Sequence, residues 1–246
     1  GDWIGYHKSP YHGFSVEFAE HRSYGHGDEV RHIDWKLYGK TDRYYVKRFE
    51  EETNVRSHIL LDSSQSMKFG SGSVNKLSYA TYLSAALTYL MLSQKDAVGL
   101  VLFDEKIKKF IPPKSTQSHS NIIMKTLEKV TPGYDTQIQP VLDSMAERIR
   151  KRGLIILISD LLDDPEKVLM GLKHFRYNKQ EIIVFHLMDP EEYNFDFGER
   201  IQFTDMESGE SITTDPWHIR KAYKKQIDQF NKTYLHGCRD LKIDYV

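Results

Sequence analysis

The sequence predicts an α/β fold: a doubly wound, mostly parallel sheet with helices on both faces, preceded by an appended N-terminal segment. Three observations point there. Ile59–Leu61, Ala97–Phe103, Gly153–Ile158 and Glu181–Leu187 are short, nearly unbroken apolar runs, the pattern of strands buried on both faces. Amphipathic stripes at helical spacing separate them, the alternation expected of a sheet covered on two sides. The runs also stop abruptly at polar residues, Asp62, Asp104, Ser159-Asp160 and Asp189, as strands do at the rim of an open sheet where ligands gather.

Residues 1–54 differ in character from the 55–246 domain. They are dense in Gly, His, aromatics and charges, with little periodicity. Pro10 and Gly13 punctuate a loop, and Gly25–Asp28 reads as a turn. Tyr44–Phe49 alternates weakly and reads as a strand running into Glu50-Glu51-Glu52. The segment is too short and polar for a core of its own, so it is expected to pack on the following domain through Ile33, Trp35 and Phe49. Arg22, Asp28, Arg31, Asp34, Lys36 and Lys47 set opposite charges beside aromatics, either as a solvated face or as a paired, partly buried network. His7, His12, His21, His26 and His32 also fall here, but without the cysteines or helix-borne glutamate at the spacing zinc sites favour.

From Arg56 the elements follow in order. Arg56–Leu61 is the first central strand. Asn75 is an N-cap candidate for a helix whose core face is Leu77, Ala80, Leu83, Leu87 and Leu90. After the strand Ala97–Phe103, Lys106–Ile111 reads as an edge strand stopped by Pro112-Pro113. A helix over about 120–130 closes at Pro132-Gly133. Ile138, Val141, Leu142, Met145 and Ile149 form the next stripe. Gly153–Ile158 is the most hydrophobic strand, and a helix over Pro165–Phe175 carries proline in its first turn. Glu181–Leu187 is another buried strand. Arg200–Phe203 and Glu210–Thr213 read as a strand pair around Ser208-Gly209. A long helix, Trp217–His236, keeps Tyr223, Ile227, Phe230 and Tyr234 on one side, and Leu241–Val246 is the last strand.

The 246 residues suit one large α/β domain with an appendage. A formal charge of −1 gives no reason to expect nucleic acid or an anionic membrane as the main partner. No apolar run approaches the roughly 20 residues of a bilayer span, and nothing in the sequence reads as a signal peptide, so no membrane contact is expected of this chain. Cys238 is alone and forms no internal disulfide, so a cytoplasmic location is expected. Lys68–Ser73 is too irregular for a phosphate loop, and no G-x-S-x-G elbow occurs.

Chemistry concentrates at Asp62-x-Ser64-x-Ser66, a carboxylate and two hydroxyls at alternate positions beyond the first central strand. Alone, such a pattern also serves to end a strand and cap a helix. Two more oxygen donors fall at equivalent rims: Thr136 in the loop before a helix, with Thr131 a competing candidate, and Asp160 after the strongest strand. Oxygen-only donors suit Mg²⁺, Mn²⁺ or Ca²⁺ rather than zinc. In this set the sequence resembles the von Willebrand factor A-like family, Rossmannoid in layout, and its metal-ion-dependent adhesion site. The resemblance implies that Ser64, Ser66 and Thr136 coordinate a divalent cation, Mg²⁺ first, directly or through water. Asp62 and Asp160 would supply charge, and one coordination position would stay open for a partner's carboxylate.

A narrower resemblance covers nearly the whole chain. Glu17-Phe18, then Arg22-x-Tyr24-x-x-Gly27-Asp28-x-x-Arg31-x-Ile33-Asp34-Trp35-Lys36, then Tyr45-Val46-Lys47-x-Phe49-Glu50 are similar to the DUF58 family. Asp96-x-Val98-Gly99-Leu100-x-x-Phe103-Asp104 and Ile158-Ser159-Asp160-Leu161 fit it too. That family is bacterial and archaeal, of undefined molecular function, and commonly encoded beside MoxR-type AAA+ ATPases; some relatives carry upstream transmembrane helices. The resemblance implies a non-enzymatic module that docks an acidic residue of a protein partner, such an ATPase or its client. One alternative is a Mg²⁺-dependent phosphatase or phosphotransferase with Asp62 as nucleophile, chemistry that usually wants a second aspartate where this chain has Ser64. Another is an extracellular adhesion domain using the same cation.

Overall fold

The computed structural model describes residues 15–25, 33–52, 55–134, 137–194, 201–204, 211–214 and 216–246. The chain divides into two compact units, Gly1–Val55 and Arg56–Val246.

In the first unit, strand β1 (Ser15–Ser23) pairs antiparallel with β2 (Tyr45–Glu52), and a register shift falls between Phe18 and Glu20. Helix α1 (Trp35–Thr41) lies between them in sequence. Its existence was not legible as periodicity, because a seven-residue helix is only two turns long. What starts it is Asp34, whose carboxylate accepts from the N–H groups of Lys36 and Leu37, each at 3.0 Å. Ile33 bridges to Val46, and both are buried. Trp35 is 57% exposed and meets Tyr38 and Tyr44 edge-on within its own unit. Tyr38 and Tyr44 stack at 4.5 Å. Of the expected charged network, the side chains of Arg22, Asp28, Arg31 and Lys47 lie outside what is described, as do those of Phe49 and all five histidines.

The second unit is built on a six-stranded sheet ordered β10-β7-β6-β3-β4-β5. Its strands are β3 (Arg56–Asp62), β4 (Ala97–Phe103), β5 (Ile107–Lys114), β6 (Leu154–Ser159), β7 (Glu181–His186) and β10 (Asp244–Tyr245). All neighbours pair parallel except β4 and β5. Alternate residues of the central strands serve two separate cores. Leu60, Val101, Phe103, Ile155 and Leu157 face helices α4 (Ile138–Arg148), α5 (Pro165–Tyr177) and α7 (Pro216–Asp240). Ile59, Leu61, Leu100, Leu102, Ile156 and Ile158 face α2 (Lys76–Ser93) and α3 (Gln117–Leu127). Strands with no polar face are stable only inside such a sandwich. The remaining elements are the short helix α6 (Pro190–Asn194) and an antiparallel pair, β8 (Ile201–Thr204) with β9 (Ser211–Thr214), whose connecting Ser208-Gly209 is outside the described residues.

The α4 stripe and the α7 stripe match the expected faces: Ile138, Val141, Leu142, Met145 and Ile149 are buried, as is Tyr234. Two expectations need correction. The core face of α2 is Leu77, Ala80, Ser84 and Thr88, with Leu83 and Leu87 half-buried against the same core, whereas Leu90 is 52% exposed. The Ser84 and Thr88 hydroxyls each donate to the carbonyl four residues back, at 2.7 Å. Polar atoms satisfied within the helix travel into a core at little cost, which apolar periodicity alone does not reveal.

β5 does not stop at Pro112-Pro113 but runs on to Lys114. It is an edge strand, where prolines are tolerated, and the register against β4 shifts between Val98 and Leu100 opposite the two prolines. Gly99 makes this possible. A Cβ there would lie 2.6 Å from the Ile111 carbonyl oxygen and 2.9 Å from the Pro113 nitrogen. Gly99→Ala is accordingly expected to cost about 2 kcal/mol of unfolding free energy in a urea titration, by overpacking. An unchanged midpoint would show that the edge strand moves aside freely.

Candidate functional site

The chain leaves β3 for β4 and β5 on one side, then returns to β6 beside β3 and continues to β7 and β10 on the other. The strand order therefore reverses between β3 and β6, and the crevice beyond their carboxyl ends is where open α/β sheets bind ligands. Asp62 ends β3, and Ser159-Asp160 ends β6.

Asp62 is fully buried. One oxygen accepts the Ser159 hydroxyl at 2.6 Å and the other accepts the Ser64 N–H at 2.8 Å. Burial pushes its carboxyl from the ordinary 3.8 up to about 6; the Ser159 hydroxyl pulls the other way, and the Asp160 charge adds to the push. Ser64 is also fully buried, and its hydroxyl lies 3.1 Å from that of Ser66. The intervening loop turns into a 3-10 helix over Gln65–Lys68, which seats Met67 in the core and holds the serines at the rim.

Thr136 and its neighbour Asp135 are outside the described residues. The positions on either side are tied to both other loops. Gly133 N–H donates to the Ser63 carbonyl at 2.7 Å, and Gln65 N–H donates to the Tyr134 carbonyl at 3.0 Å. Ile138 N–H donates to the Asp163 carboxylate at 2.8 Å, in the loop after β6. A Cβ at Gly133 would fall 2.0 Å from a carboxylate oxygen of Asp104, so any larger residue would have to push that carboxylate aside. Thr131, the competing candidate, is exposed.

Asp160 is 2% exposed and is matched by a residue that the sequence reading missed. The Lys76 ammonium, 5% exposed, lies 2.9 Å from the Asp160 carboxylate and 2.6 Å from that of Glu192. Glu192 is held in turn by a capping box at α6: its other oxygen accepts the Asp189 N–H, and the Asp189 carboxylate accepts the N–H of Glu191. A second clue was available. Lys76 is the first residue of α2, the end of a helix where a cation is disfavoured by the helix dipole, and such local inconsistencies mark sites under other demands. Beside Lys76 opens a cleft of about 310 Å³, lined also by Asn75, Tyr79, His186 and Asp189.

The backbone after Asp160 is held firmly. Leu161 has φ 53°, a left-handed conformation that costs an ordinary residue roughly 1–2 kcal/mol. Its N–H donates to the Ser159 hydroxyl, and its carbonyl accepts from the Tyr234 hydroxyl at 3.0 Å and the Asp163 N–H at 2.7 Å. His186 Nε2–H donates to the Asp160 carbonyl at 3.0 Å while Nδ1 accepts from the Tyr245 hydroxyl. Burial holds this imidazole down at about 4 and hence neutral.

These residues fit a divalent cation by their chemistry. Carboxylates and hydroxyls are hard oxygen donors, and the pair of buried carboxylates already draws a cationic group, Lys76, to its edge. Among the described residues no cluster of three His, Cys, Asp or Glu side chains has metal-binding geometry.

The match to known families decides the lineage. Residues 20–233 match the model of "Protein of unknown function DUF58". The chain belongs to the DUF58 family. An uncharacterised Mycobacterium tuberculosis protein is 24% identical over 213 residues, covering 85% of this chain and 65% of its own length, so the chain spans about two thirds of that relative. Among solved structures, the conserved hypothetical protein BatB from Bacteroides thetaiotaomicron matches with TM-score 0.53 at 19% identity, covering 78% of this chain and 89% of that one. An aerotolerance-related membrane protein from Bacteroides fragilis matches with TM-score 0.51 at 17% identity, over 78% and 90%. Von Willebrand factor A domains also match, at TM-score 0.39. Among the described residues of this DUF58 chain, no helix is long and apolar enough to cross a membrane.

The Asp62 pKa has a consequence for stability. Folding raises it, so its contribution is complete below pH about 4, drains away as the pH rises toward about 6, and ionised Asp62 remains a cost above that. In EDTA, Asp62→Asn is expected to flatten the dependence of unfolding free energy on pH between those limits. A variant that keeps the wild-type slope there would refute the assignment.

Proposed function

We propose that this DUF58 chain is a non-enzymatic binding module of the cytoplasm that docks an acidic side chain of a protein partner through a divalent cation, Mg²⁺ first and Mn²⁺ or Ca²⁺ next. Ser64, Ser66, Asp62 and Asp160 would hold the cation, with Thr136 from the third loop. One observation carries the reading: a carboxylate-hydroxyl set stands at the β3–β6 switch point, with Asp62 and Asp160 on adjacent strand ends.

Each residue has a distinct part. Ser159 and the Ser64 N–H fix the Asp62 carboxylate, so its oxygens stay aimed without side-chain rearrangement. Ser64 and Ser66 present hydroxyls, which bring donors without adding negative charge. A cation bound there would supply an unfilled coordination position for an incoming carboxylate. The strained backbone at Leu161 and its three hydrogen bonds keep Asp160 in one place, which lowers the entropy lost on docking. The partner class that fits is the MoxR-type AAA+ ATPase or its client, on the strength of the family resemblance. The phosphotransfer alternative lacks support, since Ser64 occupies the place of the second aspartate and pairs with Ser66.

Pull-down of the MoxR-type ATPase is expected in Mg²⁺ and not in EDTA, and Asp160→Ala is expected to reduce it at least tenfold, about 1.4 kcal/mol or more. Equal capture by wild type and variant, both folded by circular dichroism, would sink the proposal.

A further inference from the structure

We infer that Lys76 is an internal competitor for the cation, and that Glu192 is the second berth that receives its ammonium when a divalent ion takes Asp160. This rests on the reading of Asp160 as a cation ligand and adds a control on when that site loads.

The arrangement is unusual in three respects. Lys76 is nearly wholly buried, which lysine tolerates only with partners, and both its ion-pair partners are carboxylates, with the Phe69 ring 5.8 Å from its ammonium. It stands at the start of α2, where the helix dipole opposes a positive charge, so helix formation does not explain it. It is also shared: one carboxylate belongs to the candidate site and the other to α6, at 2.9 and 2.6 Å. An ammonium on a ligand carboxylate raises the energy of any second cation brought to the same oxygens, because like charges at such range repel strongly where water is scarce. Glu192 relieves that conflict. Its position is set by the α6 capping box, so it accepts Lys76 without moving.

The competition has opposite signs at its two ends. Loss of the ammonium frees Asp160, and loss of Glu192 confines the ammonium to Asp160. Glutamine at 192 still accepts the Asp189 N–H, so the capping box survives the exchange.

The test is Mn²⁺ binding to the full chain, read as free Mn²⁺ by electron paramagnetic resonance, with circular dichroism in EDTA to establish folding. Lys76→Met is expected to bind at least tenfold tighter than wild type, about 1.4 kcal/mol. Glu192→Gln is expected to bind severalfold weaker, while Glu191→Gln, one residue away, controls for the mere removal of a nearby charge. Should Lys76→Met fail to fold, weaker binding by Glu192→Gln than by Glu191→Gln supports the proposal, and equal binding overturns it. Lys76→Met binding no tighter than wild type would overturn the competition while leaving the cation site standing. No Mn²⁺ binding by any of the folded proteins would remove both.

Discussion

Two carboxylates on the ends of adjacent parallel strands repel one another, and both are buried here. Asp62 has no exposure and Asp160 almost none. Such a pair persists only if something positive or proton-donating is built around it. Much of the second unit answers that demand. The Ser159 hydroxyl and the Ser64 N–H bind Asp62, Lys76 binds Asp160, and Glu192 with Asp189 holds Lys76 from behind. The protein keeps a region of unfavourable charge density at the spot where its strand order reverses, and the fold around it is arranged to hold that density still.

The sheet and most helices could be read from hydrophobic pattern, because burial on both faces leaves an unmistakable trace in β3, β4, β6 and β7. The placement of Asp62 at the end of β3 and of Asp160 just past β6 could be read as well, since each marks where an apolar run stops. What escaped the sequence were interactions between elements far apart in the chain. Lys76 and Glu192 are separated by 116 positions, and neither belongs to a spacing motif. The α2 core face was read incompletely because serine and threonine count as polar in a pattern while Ser84 and Thr88 are satisfied by their own helix. Helix ends were obscured as well. Lys95, Lys179 and Lys242 adopt left-handed backbone where α2, α5 and α7 give way to strands, positions at which glycine is the usual signal.

Those three lysines also separate ordinary strain from the other kind. Each sits past a helix C-terminus, where the dipole favours a cation and a left-handed residue closes the last turn. Asp42 closes the last turn of α1 in the same left-handed conformation, without the favourable charge. Leu161 is the exception among the described residues: no helix precedes it, and its side chain is wholly buried. Strain with no terminating role, directly after Asp160, belongs to the positioning of that carboxylate. The Tyr234 hydroxyl, reaching from α7 to the Leu161 carbonyl, links that positioning to the last helix of the chain.

Pro112 and Pro113 bear on how copies of this protein behave when crowded. A sheet border with a full row of free amide hydrogens is a template on which further chains can add. On β5 two consecutive positions have no such hydrogen, and lysines at 108, 109 and 114 stud the same border. That border offers a broken ladder to an incoming strand, so the sheet resists growing sideways from β5 at high concentration.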